Sequence, residues 1–256
     1  MKSFLPNLLM IAVFICSCVK DKKNSLSQLP PPKWIAHALG AYNGANYLNC
    51  KECFDSNYAK GFRYFEMDFL MSSDGSMVGM HDGQEKEFGL PKDFTLEMFK
   101  KASLQGTTPV DDELLSNLMN EKKDWFLITD IKDENFRGLK RLCDVLLKKD
   151  IDCKTRVIPQ FYSKEDLEIL KTIAFERSIF TLYRFGDKPQ EVKELIDANP
   201  TLWGITIPLV WWKPEYFEAI KAGKRYGFVH TINDRPAAES LFASGADGIY
   251  TDNLFY

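Results

Sequence analysis

From Lys33 onward, short runs of β-branched and aromatic residues alternate with amphipathic segments, and nothing else in the chain limits its fold so tightly. Eight runs are strand candidates: WIAHA (34–38), FRYFEMDFL (62–70), WFLITDI (125–131), RVIPQFY (156–162), IFTLYR (179–184), WGITIPL (203–209), YGFVHTI (226–232) and DGIYTD (247–252). Between them the apolar positions change to helical spacing, as with Phe136, Leu139, Leu142, Val145 and Leu146 in the segment 135–150. Ser163 is the N-cap of a helix expected over 163–176, and prolines stand near the start of those expected over 188–200 and 214–223. Strand–helix alternation implies parallel strands joined by right-handed crossovers. Eight such units are the number that closes a single-domain (β/α)8 TIM barrel; an open doubly wound sheet is the competing α/β architecture. Only residues 71–124 break the rhythm, with an Asp-Gly turn in SSDGSMVGMHD, a short extension, and then two helical stretches.

The N-terminal segment stands outside this pattern. MKSFLPNLLMIAVFICSC carries Lys2 and then an apolar run from Phe4 to Ile15, too short to span a bilayer comfortably and of the length of a secretory signal. It ends Ile15-Cys16-Ser17-Cys18, which resembles a bacterial lipobox; an uncleaved anchor or an ordinary signal peptide are the alternatives. The resemblance implies cleavage before Cys18 and lipidation of that cysteine. The domain plan is then a signal peptide (1–17), a polar, proline-terminated tether (18–32) and a barrel domain (33–256), held on a membrane outside the cytoplasm, on the periplasmic face or the cell surface. Four further cysteines remain. Cys50-x-x-Cys53 has no second Cys/His pair at zinc-finger spacing and reads as buried thiols or an incidental pair. A Cys143–Cys153 disulfide fits an oxidising compartment, though spacing alone does not decide it. A formal net charge of −3 gives no basic surface, which argues against nucleic acid as a partner.

Barrel active sites lie at the C-terminal ends of the strands. Collecting polar residues there gives His37; Glu66 and Asp68, with His81 just beyond; Asp130 and Lys132; Gln160 and Tyr162; Arg184; His230 and Asn233; and Asp252. All three histidines of the chain fall in this set. Residues i and i+2 of a strand face the same way, so Glu66 pairs with Asp68 and Asp130 with Lys132. Three carboxylates converging on a barrel axis repel one another unless a cation holds them, and an all-oxygen donor set favours Mg²⁺ or Ca²⁺ over zinc. For any one of these acids, a buried ion pair with Lys or Arg is the alternative. Trp203, Trp211, Trp212 and Tyr216, on or after the sixth run, either form a lip for a polyol or sugar group or pad the barrel.

The segments IAHALG, NYAKGFRYFEMDFLMSSDGSMVGMHD, DIK and HTINDRPAAESLFASGADGIYTDN together resemble the glycerophosphodiester phosphodiesterase family, which is related to bacterial phosphatidylinositol phospholipases C. The resemblance spans residues 33–254. It implies that His37 and His81 are an acid–base pair, that Glu66, Asp68 and Asp130 hold one divalent cation, and that Lys132 neutralises the phosphate of a small-molecule phosphodiester. It also implies attack by a neighbouring substrate hydroxyl, with a cyclic phosphate then opened by water. Gln160, Arg184, His230 and Trp203 are the further substrate-contacting candidates. Two departures stand out. Ala38 replaces the arginine of the family's His-Arg-Gly, leaving Arg184 to substitute from across the mouth, and Asp130 replaces a glutamate. A lyase that stops at the cyclic phosphate, and a barrel that binds a polyol phosphate without turning it over, are the competing readings.

Overall fold

The computed structural model describes residues 30–132, 134–185 and 188–255. The expected signal peptide, Cys18 and the tether up to residue 29 lie outside the described residues. Nine strands form one sheet: β1 (Trp34–Ala36), β2 (Tyr64–Met71), β3 (Met77–Gly79), β4 (Phe126–Ile131), β5 (Val157–Phe161), β6 (Ile179–Thr181), β7 (Gly204–Pro208), β8 (Tyr226–His230) and β9 (Gly248–Thr251). Eight are parallel, in the order β1-β9-β8-β7-β6-β5-β4-β2, and the ring closes where Ala36 of β1 pairs with Phe65 of β2. The competing open sheet is thereby excluded. β3, expected only as a short extension, pairs antiparallel with the outer end of β2 and lies outside the ring. The helices are α1 (Lys51–Ala59), α2 (Leu96–Lys101), α3 (Asp112–Glu121), α4 (Asn135–Leu147), α5 (Cys153–Arg156), α6 (Ile169–Thr172), α7 (Pro189–Ala198), α8 (Pro214–Ala222) and α9 (Arg235–Ala243). Among the described residues no helix is long and apolar enough to cross a membrane.

The period of two along each strand decides what the barrel contains. At the N-terminal ends the inward positions are apolar: Ile35, Tyr64, Phe126, Ile128, Ile158, Ile179, Trp203, Phe228 and Tyr250 pack as one plug. Two or four residues further along the same strands, the same parity delivers His37, Glu66 and Asp68, Asp130, Gln160, His230 and Asp252. The outward positions, such as Phe65, Met67, Leu127 and Ile205, pack under the helices in a second, larger core. Closure therefore places the polar ends of the strands around one opening.

Several elements are shorter than the sequence suggests. The first and fifth candidate strands end early, because His37–Leu39 and Leu182–Arg184 are each a single 3-10 turn. At the first, Ala38, Leu39 and Gly40 take positive φ, and a Cβ on Gly40 would lie 2.4 Å from Asn57 Nδ2 of α1. The helix expected over 163–176 is reduced to a 3-10 turn and α6, because the chain becomes extended at Ile173 and the Glu176 N–H donates to the Lys154 carbonyl on the way into β6. Both cysteine pairs are disulfides. Cys143–Cys153 ties α4 to the start of α5, and Cys50–Cys53 crosses the first turn of α1, which corrects the reading of that pair as thiols.

Candidate active site

A cleft of about 570 Å³ opens at the C-terminal end of the barrel, lined by His37, Tyr47, Asp68, His81, Asp82, Asp130, Lys132, Tyr162, Tyr183, Arg184, His230 and Thr231. At its base one carboxylate oxygen each from Glu66, Asp68 and Asp130 lie within 4.8 Å of one another. Register explains how the shorter Asp130 takes part: β2 and β4 pair with Asp68 directly opposite Asp130. Each acid has one oxygen held by a neutral donor. Glu66 Oε2 accepts from the Ala38 N–H at 2.8 Å, an approach that the left-handed turn makes possible. Its Oε1 is buried without a hydrogen-bond partner among the described residues. Asp68 Oδ2 accepts from Asn49 Nδ2 at 3.0 Å, and Asn49 Oδ1 in turn accepts the Asp68 N–H at 3.1 Å. Asp130 Oδ1 accepts from the Tyr162 hydroxyl at 2.7 Å. Burial, and after it the charge of Asp68, push the carboxyls of both Glu66 and Asp130 above the usual range.

The donor set fits a hard divalent cation. It is all oxygen, it is more anionic than its surroundings neutralise, and it has one orphaned oxygen among the converging atoms. The nearest protein cation is Lys132, whose Nζ lies 3.3 Å from Asp130 Oδ2, 3.7 Å from Asp68 Oδ1 and 3.1 Å from Asp82 Oδ1. Burial works against its charge, but Asp130, Asp68 and Asp82 outweigh it and hold the ammonium well above its ordinary pKa.

Two imidazoles stand over this base. His37 is buried, and its Nδ1 sits 2.8 Å from Asp252 Oδ1, which leaves Nε2 as the ring nitrogen available to a substrate. Burial alone would lower its pKa; the Asp252 hydrogen bond, and then the charges of Glu66 and Asp68, raise it to about 9. Asp252 is itself fixed by Asn46 Nδ2 at 3.0 Å and by the Asn233 side chain. His81 follows β3. Its Nδ1 lies 2.9 Å from the Asp82 carbonyl and its Nε2 3.0 Å from Lys132 Nζ, an arrangement satisfied by the Nδ1–H tautomer with Nε2 accepting. The Tyr47 ring contacts both imidazoles edge-on, at centroid distances of 4.6 Å from His37 and 5.7 Å from His81. Burial, and then Asp252, push its hydroxyl up to about 12.

The remaining candidates divide. Arg184 reaches the mouth, where Nη1 donates to the Lys132 carbonyl at 3.3 Å and the guanidinium lies over Tyr162. His230 lines the cleft beside His37, and burial, followed by the charges of His37 and Lys132, lowers its pKa to about 3, so it is a neutral ring. Gln160 is buried on β5, where its Oε1 accepts from the Tyr250 hydroxyl at 3.1 Å, and it is absent from the cleft lining. Trp203 is a correction. It precedes β7, belongs to the apolar plug at the opposite end of the barrel, and packs against Phe228 and beside buried Arg177. Tyr216, from the same aromatic group, is buried under the helices. The residues that sequence reasoning left without a role are Asp252, Tyr162 and the loop before α1, which supplies Asn46, Tyr47 and Asn49. The one available signal for the loop was three asparagines within NGANYLN.

No protein-family model matches the sequence, and no curated protein matches it. Solved structures do match in fold. A phosphodiesterase from Oleispira antarctica in complex with the product sn-glycerol-3-phosphate is 19% identical, with 86% of this chain and 93% of that one covered and a TM-score of 0.71. A glycerophosphodiester phosphodiesterase from Parabacteroides distasonis ATCC 8503 is 17% identical, covering 86% and 92%, with a TM-score of 0.70. One from Thermotoga maritima is 20% identical, covering 87% and 95%, with a TM-score of 0.66. At these identities the likeness shows a common fold, the barrel built above.

Proposed function

We propose that this protein is a metal-dependent phosphodiesterase of the glycerophosphodiester phosphodiesterase kind, hydrolysing glycerophosphodiesters or related alcohol phosphodiesters. The single observation that carries the reading is the convergence of three carboxylates within 4.8 Å at the base of a cleft lined by His37 and His81. Fold neighbours that are named glycerophosphodiester phosphodiesterases support it, as does a phosphodiesterase of the same fold in complex with the product sn-glycerol-3-phosphate.

In this reading a substrate hydroxyl next to the phosphate attacks phosphorus and loses its proton to one imidazole. The bond to the leaving alcohol breaks, and the other imidazole protonates that oxygen. Water then opens the cyclic phosphate with the two proton roles exchanged. Asp252 orients His37 and stabilises its protonated form, as a buried carboxylate does for an acid–base histidine. Lys132 moves from its carboxylate partners toward the non-bridging oxygens, which frees His81 Nε2, and Arg184 meets the phosphate from the mouth in place of the arginine that Ala38 lacks. A cation held by Glu66, Asp68 and Asp130, Mg²⁺ or Ca²⁺, would supply Lewis-acid polarisation of a phosphate oxygen. Lipidation at Cys18 and an extracytoplasmic membrane location complete the proposal and rest on the lipobox-like sequence alone.

The test is turnover of glycerophosphocholine, glycerophosphoinositol and an aryl phosphodiester with each ion, followed by phosphorus NMR. His37→Ala and His81→Ala are each expected to cost on the order of 10²–10⁴ in kcat. Wild-type turnover in either folded variant refutes the assignment. A cyclic phosphate as the final product identifies a lyase, and thermal stabilisation by a polyol phosphate without product identifies a binding protein.

A further inference from the structure

Directly after β7, Leu209–Trp211 forms a one-turn 3-10 tip at the cleft end of the barrel. Val210 is 85% exposed and Leu209 47% exposed. Trp211 and Trp212 are half-buried, packed against the helix-side core. The Trp211 ring lies 6.4 Å from that of Tyr183, which is exposed and also lines the cleft. Large apolar side chains exposed among the described residues are few, and Tyr47, Tyr183, Leu209 and Val210 all come from loops at the C-terminal ends of β1, β6 and β7. The others are scattered, on α2, on α4 and near the C-terminus.

Folding gives no reason to expose valine and leucine together at a loop tip. The feature is a protrusion and not a groove, so what covers it must deform around it. Its chemistry is layered: aliphatic groups at the apex, tryptophan and tyrosine rings behind them, and the exposed guanidinium of Arg184 beside Tyr183. The run Thr206–Pro214 contains no acid. That is the order of groups a protein presents to a bilayer, with aliphatic side chains in the acyl boundary, aromatic rings at the headgroup level and cations at the phosphates.

We infer that this rim docks the mouth of the cleft onto a lipid surface, so that the phosphodiester entering it belongs to the headgroup of a membrane lipid. The substrate half of the inference rests on the proposed phosphodiesterase activity; the docking half does not. Docking is read with the full chain on vesicles of phosphatidylcholine and phosphatidylglycerol carrying brominated acyl chains, which quench tryptophan emission at short range. Trp34, Trp125 and Trp203 are buried in the domain, so quenching reports Trp211 and Trp212. The readout is depth and not attachment, and is therefore indifferent to an N-terminal anchor. The expected result is strong quenching in the wild type, a loss on the order of tenfold in Val210→Asp, since a valine side chain no longer partitions into the apolar layer, and a gain in Val210→Phe. Leu147→Asp, on α4, leaves quenching unchanged. Absent quenching in the wild type, or equal quenching in Val210→Asp, overturns the inference; so does concentration-dependent dimerisation without vesicles that Val210→Asp abolishes, which would make the tip a contact between copies. If quenching behaves as expected but no diester of any kind is cleaved, docking stands and the proposed function fails. If soluble glycerophosphodiesters are cleaved but phosphatidylglycerol in the vesicles, whose headgroup keeps a free hydroxyl next to the phosphate, is not, the substrate half alone is overturned.

Discussion

Glu66→Gln is expected to act with opposite signs in the presence and absence of a divalent ion. In the ion-free protein Glu66 is a buried carboxyl with one oxygen held by the Ala38 N–H, the other unpartnered, and two more acids within 4.8 Å. Burial and the charge of Asp68 place its folded pKa well above the ordinary 4.5. A carboxyl raised in this way destabilises the fold at pH 7, and the cost is relieved as pH falls. Glutamine keeps the shape, accepts the Ala38 hydrogen bond and can donate to the neighbouring carboxylates. Removing the buried charge is then worth about 1–3 kcal/mol of added stability, or a rise in Tm of roughly 2–12 °C for a chain of this size. With an ion at 1,000 times its Kd the wild type gains about 4.1 kcal/mol, roughly 8–16 °C, and the amide variant, having lost a charged ligand, loses most of that gain. Differential scanning calorimetry at pH 7 in EDTA, Mg²⁺ and Ca²⁺ reads both differences. The reasoning is refuted if Glu66→Gln lowers Tm in EDTA and keeps the wild-type response to the ions, because Glu66 would then be a satisfied ion-pair partner and no part of a cation cradle.

Three further outcomes follow from the geometry. His37, raised from 6.5 to about 9, contributes stability to the ion-free protein that is fully present below pH 6.5 and lost as pH rises through about 9. Asp252→Asn should flatten that part of the stability profile and lower the ring titration seen by NMR, and an unchanged titration would show that Asp252 does not support the imidazolium. Cys143→Ser opens the short loop closed by Cys143–Cys153 and is expected to cost about 2–3 kcal/mol in denaturant unfolding; unfolding that matches the wild type in both oxidised and reduced samples would count against a structural bond. Trp203→Ala should cost about 3–5 kcal/mol while leaving KM unchanged, and a raised KM at wild-type stability would return Trp203 to the substrate site.

The barrel and the acid cluster were legible because both are written locally. Strand and helix periods are properties of short windows, and Glu66-x-Asp68 and Asp130-x-Lys132 declare a shared face by spacing alone. Parity also foretold which side of each strand is inward, but not how deep a residue sits. Trp203 and Gln160 were assigned to the site because they lie on strand candidates; depth along the barrel axis depends on packing between strands, and it places Trp203 in the plug, while Gln160, which follows Pro159 as Asp130 follows its partner Thr129, is engaged by the Tyr250 hydroxyl. The strand ends were misread for a related reason. His37 and Arg184 belong to runs of good strand formers, yet positive φ at Ala38 and Leu39 and a 3-10 turn at Leu182–Arg184 lift them out of the sheet.

What the sequence hid was the set of contacts that make the acids tolerable. Asn49 and Asn46 are ordinary loop residues by type, and asparagine in such a segment reads as turn chemistry. In the fold, this one loop clamps Asp68 through two hydrogen bonds, braces Asp252 behind His37 and lays Tyr47 against both imidazoles. The two acids lie 19 and 206 residues from the asparagines that hold them, beyond the reach of any periodicity. Asn49 leaves Asp68 Oδ1 turned toward Lys132 and His81, and Tyr162 does the same service for Asp130 by occupying Oδ1 and leaving Oδ2 toward Lys132. Neutral donors thus fix the outer oxygen of each aspartate while adding no charge. The electrostatic demand at the centre stays unmet by the protein itself, which is the condition under which a cation, and a phosphate brought to it, gain most from binding.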